Sequence, residues 1–126
     1  MTALPLVAEW QRVTHRLLAV LDEALADLGL SAAEINALAC IGEETTVREL
    51  VAATAQRPST LTGVLDRLER RGSIERAPNP ADRRSVLVRL TPEGRRQAAR
   101  VAVAFTALEE RLPAAELRRL LAALDL

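Results

Sequence analysis

The chain has 126 residues, its 17 basic side chains balance 17 acidic ones, and one Trp, one Phe and no Tyr make up its aromatic content. That length fits one domain with a modest core, and an apolar complement of mostly Leu, Ala and Val favours helix on helix over a sheet sandwich. The single cysteine excludes an internal disulfide framework and fits a reducing compartment, and the absence of Lys excludes Schiff-base and lysine-nucleophile chemistry.

Residues 5–28 read as one long amphipathic helix. Pro5 suits its first turn, and Trp10, Val13, Leu17, Leu21, Ala24 and Leu28 step three and four apart, with Leu18 and Leu25 widening the stripe. Gly29 is placed to end it. So long a stripe in so small a chain points to a dimer interface, the alternative being an ordinary core helix. Ser31 and Glu34 match the S-x-x-E capping box and open a second helix, with Ile35, Leu38, Ala39 and Ile41 on its apolar side and Gly42 near its end. Thr46 and Glu49 repeat that spacing for a short third helix whose inner face is Val47, Leu50, Val51 and Ala55. After a break at 54–57, Pro58 opens a fourth. Third and fourth helices with a short connection read as a helix-turn-helix.

In the fourth helix Leu61, Val64, Leu65 and Leu68 are expected in the core. Ser59, Thr60, Thr62, Gly63, Asp66, Arg67 and Arg70 then face outward, as in a helix presented to a major groove, or as on any solvated surface. Gly72 terminates it. Residues 73–77 and 85–90 read as two strands, with Ile74, Val86, Val88 and Leu90 pointing inward. Pro78 to Arg84 is expected to be a hairpin loop, because two prolines are excluded from a paired central strand; Arg83 and Arg84 ride at its end. Thr91-Pro92-Glu93 starts a further helix running to about Arg111, with Ala98, Val101, Phe105, Leu108 and Leu112 in its stripe. Pro113 breaks it and opens a last helix carrying Leu117, Leu120, Leu121 and Leu124. Two chains clasping through the first helix and the last two would bury all three stripes.

Charge is segregated along this order. Residues 1–44 carry two Arg against seven acids (net −5), 45–100 twelve against six (net +6) and 101–126 three against four (net −1). A basic middle between acidic ends suits a polyanion partner. The stretch MTALPLVAEW has no basic n-region and meets Glu9 early, so it does not read as a secretory signal. No uncharged apolar run approaches the ~18 residues needed to span a bilayer. A cytoplasmic protein without membrane contact is the expectation.

Residues 57–94 are where the sequence stops being generic. The run from Asp82-Arg83-Arg84 through Leu90-Thr91-Pro92-Glu93-Gly94 matches a D-x-R, strand, L-T-x-x-G pattern, preceded by Leu65-Asp66-Arg67-Leu68-Glu69-Arg70-Arg71-Gly72 and Ile74-Glu75-Arg76. In combination these resemble the MarR (multiple antibiotic resistance regulator) family of bacterial transcription factors, and the order of elements agrees over almost the whole chain. The resemblance implies a mainly α fold with a small β-hairpin wing (α+β), a winged helix-turn-helix over 31–94 within a single domain of 1–126, and dimerisation helices at 1–29 and 95–126. It implies a homodimer whose recognition helix enters the major groove of double-stranded DNA, with Arg84 reaching a minor groove and Asp82 holding it by a salt bridge. Gly63 departs from the pattern, since many members carry Arg there.

The DNA-contacting set is therefore Arg57, Ser59, Thr60, Thr62, Gly63, Arg67, Arg70, Asp82, Arg83 and Arg84. The dimerisation set is Trp10, Val13, Leu17, Phe105, Leu108, Leu117, Leu120, Leu121 and Leu124. Family members often bind small ligands between the dimer helices and the winged region, which makes Trp10 and His15 ligand candidates; each also reads as a surface or interface residue. Cys40, beside Leu38, Ala39 and Ile41, reads as a structural thiol. One His and one Cys cannot assemble a tetrahedral metal site within a chain, and no cofactor is expected. No phosphate loop and no placeable Ser/His/Asp set is present, so an enzyme is not expected. The function read from the sequence is a dimeric, sequence-specific transcriptional regulator of the repressor type, on a pseudo-palindromic operator and released by a small ligand. The alternative is a winged-helix protein-interaction module without DNA binding.

Overall fold

The structure is a computed structural model and describes residues 3–126; Met1 and Thr2, the start of the N-terminal stretch and of the 1–29 region, lie outside it. Helix α1 (Leu6–Ala24) leads into a 3-10 turn (Ala26–Leu28) and α2 (Ala32–Ile41). A short strand β1 (Glu44–Thr46) precedes α3 (Val47–Thr54) and α4 (Pro58–Arg70). The hairpin β2 (Ile74–Asn79) and β3 (Asp82–Leu90) follows, then α5 (Pro92–Glu109) and α6 (Ala114–Ala122). The sheet is antiparallel with strand order β1-β3-β2. None of the described helices is long and apolar enough to cross a membrane.

The expected first helix of residues 5–28 divides. Leu25 and Leu30 both enter the core, and a straight helix cannot deliver both; the chain turns between them through the 3-10 segment and a left-handed Gly29 (φ 64°). Arg100 of α5 holds this turn from outside by donating two 2.8 Å hydrogen bonds to Asp27, which keeps that carboxyl below its ordinary range. The capping box of α2 forms as read: Ser31 Oγ accepts from Glu34 N–H at 3.1 Å, and Glu34 Oε1 accepts from Ser31 N–H at 3.2 Å. Its buried side includes Ala37 rather than Ala39, which is exposed. At α3 only half a box forms. Thr46 caps Glu49 N–H, but the Glu49 carboxylate takes the Thr45 hydroxyl at 2.7 Å. Ala55, expected on the inner face, is exposed and left-handed (φ 55°) where the chain reverses between the two helices.

Helix α4 behaves as its spacing dictates. Leu61, Val64, Leu65 and Leu68 are buried to the last ångström of surface or nearly so, and they form the middle of one core with Leu25, Ile35, Leu38, Leu50, Ile74, Val88 and Val101. A Schellman motif ends the helix: Gly72 N–H donates to Glu69 O and Ser73 N–H to Leu68 O, both at 2.9 Å, with Gly72 at φ 77°.

The wing corrects the loop reading. Pro78 lies within β2, paired with Val86, and Asp82, Arg83 and Arg84 belong to β3, so only Pro80 and Ala81 are outside the strands. Proline is tolerated because β2 is an edge strand and the register breaks at this point. Pro78 opposes Val86 but Asn79 opposes Asp82, which leaves Arg83, Arg84 and Ser85 without pairing partners in a bulge. Val86, expected inward, is exposed, while Leu87 on the other face is buried beside its neighbours Thr46 and Ala77. The core reaches along β3 only as far as Val88.

Helices α1 and α6 bury no residue completely, and α5 buries Gly94 and Val101 only. The apolar stripes read at both ends of the chain are thus largely uncovered in the single chain.

Candidate nucleic-acid interface

Three consecutive elements converge on one cleft of about 360 Å³. Helix α3 supplies Val47 and Arg48, α4 supplies Thr62 and Leu65, and the wing supplies Arg76, Arg84, Ser85 and Val86. Thr62 of α4 and Arg84 of the wing thereby line the same cleft. Ser59 and Thr60 are exposed in the first turn of α4, behind Arg57 at the N-cap position. The Thr62 hydroxyl donates to Pro58 O at 2.9 Å, which leaves its oxygen lone pairs outward as acceptors. Gly63 is half-buried with open space around it: a Cβ there would meet only Arg67 Nη1, at 3.6 Å.

The basic residues of α4 divide into two groups. Arg70 is exposed, and among the described residues no carboxylate lies within 4.0 Å of it. Arg67 instead turns toward the protein's own Glu34, Nε to Oε1 at 3.8 Å, with half its side chain still in solvent. Glu34 is a buried carboxylate. Its Oε2 lies 3.1 Å from Arg71 Nε without hydrogen-bond alignment, so the contact is an ion pair, and Arg71 Nη2 also donates to Gly29 O at 2.7 Å. Two guanidinium groups offset the cost of burying that charge.

Asp82 departs from what the resemblance implies. Its Oδ1 accepts from the main-chain N–H of Arg84 at 3.0 Å, and among the described residues no guanidinium lies within 4.0 Å of it. The bulge brings that N–H over the carboxylate in an Asx-type turn two residues long, which holds the tip and leaves the Arg84 side chain exposed. Arg83 is exposed beside it.

Sequence reading did not single out Arg48, and it named Arg76 only within the Ile74-Glu75-Arg76 motif, with no role in the site. Arg48 stands in an ordinary surface position of α3, and only the tertiary fold puts it across the cleft from Arg84. Arg76 lies on β2 and is held by Asp66 and Glu69 of α4.

A second, larger cleft of about 540 Å³ lies between α1, α2 and α5. Leu17, Leu21, Ile35, Phe105, Leu108 and Leu112 give it apolar walls, and Thr14, Asp22, Asn36 and Gln56 give it polar points. Neither Trp10 nor His15 lines it. His15 faces a shallow groove on the outer side of α1 with Gln11, Arg12 and Arg16. Cys40 is partly buried, and burial pushes its thiol pKa up, away from the thiolate a reactive cysteine needs.

A helix-turn-helix preceded by one short strand and followed by a hairpin, the three strands forming one sheet and the hairpin packing beside the second helix, defines a winged-helix protein. The sequence profile of the MarR family matches residues 30–86. The multiple antibiotic resistance protein MarR of Salmonella typhimurium is 42% identical over 78 residues, which are 60% of this chain and 54% of that protein. The chain thus spans about half the length of this curated relative. Solved structures align over more. A MarR variant from E. coli complexed with operator DNA is 31% identical, covering 93% of this chain and 89% of that one, with a TM-score of 0.76. BpsR of Bordetella bronchiseptica, whose DNA binding is regulated by 6-hydroxynicotinic acid, is 27% identical over 96% of this chain and 95% of its own, with a TM-score of 0.78. The chain belongs to the MarR family.

Proposed function

We propose that this protein is a sequence-specific DNA-binding transcriptional regulator of the repressor type, acting as a homodimer. The observation that carries the reading is the convergence of Thr62, Arg48 and Arg84 from three successive elements on one cleft. The α4 face of Ser59, Thr60, Thr62 and Gly63 enters a major groove, while Arg57, Arg70 and Arg83 serve backbone phosphates, Arg67 adds the solvent-facing half of a side chain anchored on Glu34, and Arg84 enters the adjacent minor groove. The operator-bound structure of the E. coli relative supports a DNA-binding role. Symmetry of the dimer gives a pseudo-palindromic operator with half-sites about one helical turn apart. The apolar cleft between α1, α2 and α5 suits a small, largely apolar effector, and a bound molecule there would lever α2 against the rest of the winged region. BpsR offers the parallel of a ligand that regulates DNA binding.

Arg84 and Arg48 divide the work differently, and titration of labelled operator at several salt concentrations reads the difference. Arg84→Ala costs roughly 1–3 kcal/mol of operator affinity and leaves the dimer intact. Wild-type affinity in that variant would defeat the wing assignment. Arg48→Ala weakens binding to all sequences about equally and lowers the log–log salt slope by about one counterion per subunit, the signature of a lost phosphate contact. An unchanged slope would remove Arg48 from the interface.

A further inference from the structure

Only the base of the wing is built into the core. Ile74, Val88 and Leu90 are buried, whereas the tip from Asp82 to Arg84 is exposed. Between base and tip, on the edge strand, stands Arg76, paired with Val88. Its guanidinium spreads over two carboxylates one turn apart on α4. Nη2 donates to Asp66 Oδ1 at 2.7 Å and to Glu69 Oε1 at 3.1 Å, and Nε donates to Glu69 Oε2 at 3.3 Å. The Arg76 main-chain N–H donates to the same Glu69 oxygen at 3.2 Å. Among the described residues these are the only side-chain hydrogen bonds that join α4 to either strand of the hairpin. Arg76 also lines the cleft shared by Thr62 and Arg84.

We infer that Arg76 is a positioning residue for DNA recognition: clamped to Asp66 and Glu69, it fixes the wing against the recognition helix, so that Arg84 is delivered to its groove at a set reach and angle from Thr62. The inference rests on the DNA-binding reading. Arg76 is itself committed to two carboxylates and is not a phosphate contact; it works through Arg84. Freezing the wing before binding removes the ordering cost that a loose hairpin would incur on the duplex. All three clamp residues are partly solvent-exposed, so replacing them leaves no buried charge behind and the fold survives.

The test is a cycle of four proteins: wild type, Arg76→Gln, Arg84→Ala and the double variant. Each is titrated with a duplex that the wild type selects from a random pool. Because the two residues act as one unit, the penalty of Arg84→Ala shrinks by about tenfold in the Arg76→Gln background. An equal penalty in both backgrounds overturns the inference. Amide exchange in the absence of DNA supplies an independent reading. In Arg76→Gln the wing amides of 83–87 exchange roughly tenfold faster while those of α2 and α4 keep their rates. Unchanged wing exchange also overturns it. Charge masking is separated by Asp66→Ala/Glu69→Ala. A clamp predicts weaker binding when the acids are removed, whereas simple neutralisation of two repelling carboxylates predicts tighter binding, which again defeats the inference. If the wild type selects no duplex, the DNA-binding reading fails, and amide exchange alone decides the clamp.

Discussion

Replacing Gly94 with alanine destabilises the protein by about 3 kcal/mol or more, a large part of the roughly 5–15 kcal/mol that holds a domain together. A Cβ at this position would stand 1.9 Å from the carbonyl oxygen of Ser73 and 2.9 Å from its carbon. Both are backbone atoms, so no rotamer change relieves the clash; α5 must move bodily. It is not free to move. Thr91 N–H donates to Ser73 O at 3.1 Å, Thr91 Oγ1 donates to Gly72 O at 2.5 Å, and the same oxygen caps Gly94 N–H at 3.0 Å. The start of α5 is thus laced to the Schellman turn that ends α4, and the glycine is what permits the approach. The L-T-x-x-G signature is a packing device. Urea unfolding followed by circular dichroism measures the loss. Gly63→Ala is the control. Gly63 sits in a helix interior with space for a methyl group, and alanine gains up to about 1 kcal/mol there from helix propensity. A Gly94→Ala midpoint equal to wild type would show that α5 docks differently.

That contrast marks what was legible in the sequence. Caps, stripes and stops are local, and they were read: Ser31 with Glu34, Thr91 before Pro92, the four buried residues of α4 and Gly72 at its end. The features that escaped are made by distant partners. Glu44–Thr46 has no strand pattern of its own and is a strand only because β3 lies beside it. The hairpin runs through Pro78 because that strand happens to be at the sheet edge. Within the candidate interface, Ser59, Thr60, Thr62 and Arg84 were accessible from helical phase and motif. The roles of Arg48 and Arg76 were not, although Arg76 stands in a quoted motif; Arg48 takes its meaning from the cleft it lines and Arg76 from Asp66 and Glu69. Asp82 shows the limit of motif transfer. The residue is where the pattern puts it, yet its carboxylate holds the Arg84 main chain and leaves the guanidinium to solvent.

Charging the outer helices separates the subunits and abolishes tight operator binding while the winged region stays folded. The chain exposes an apolar surface that a lone subunit has no use for: Leu6, Val7, Trp10 and Val13 on α1, and Leu120 (64% exposed) and Leu121 (51%) on α6, with Leu124 beyond it. Exposed apolar stripes of this kind mark an interaction site. The core of the winged region takes no fully buried residue from α1 or α6, so it does not depend on their apolar faces. Trp10→Glu combined with Leu121→Glu places a charge in the middle of each stripe, where dimer formation would have to strip its water. Light scattering then reports a particle of 13.7 kDa in place of twice that mass. Operator affinity falls by about 10²–10⁴, because each wing now binds its half-site without the effective concentration that the second site supplies. Circular dichroism keeps most of its helical signal. A variant that remains a dimer with wild-type affinity would mean that the subunits meet elsewhere, and the spacing of the two recognition helices would then have to come from another face of α5, where Val103 is 71% exposed.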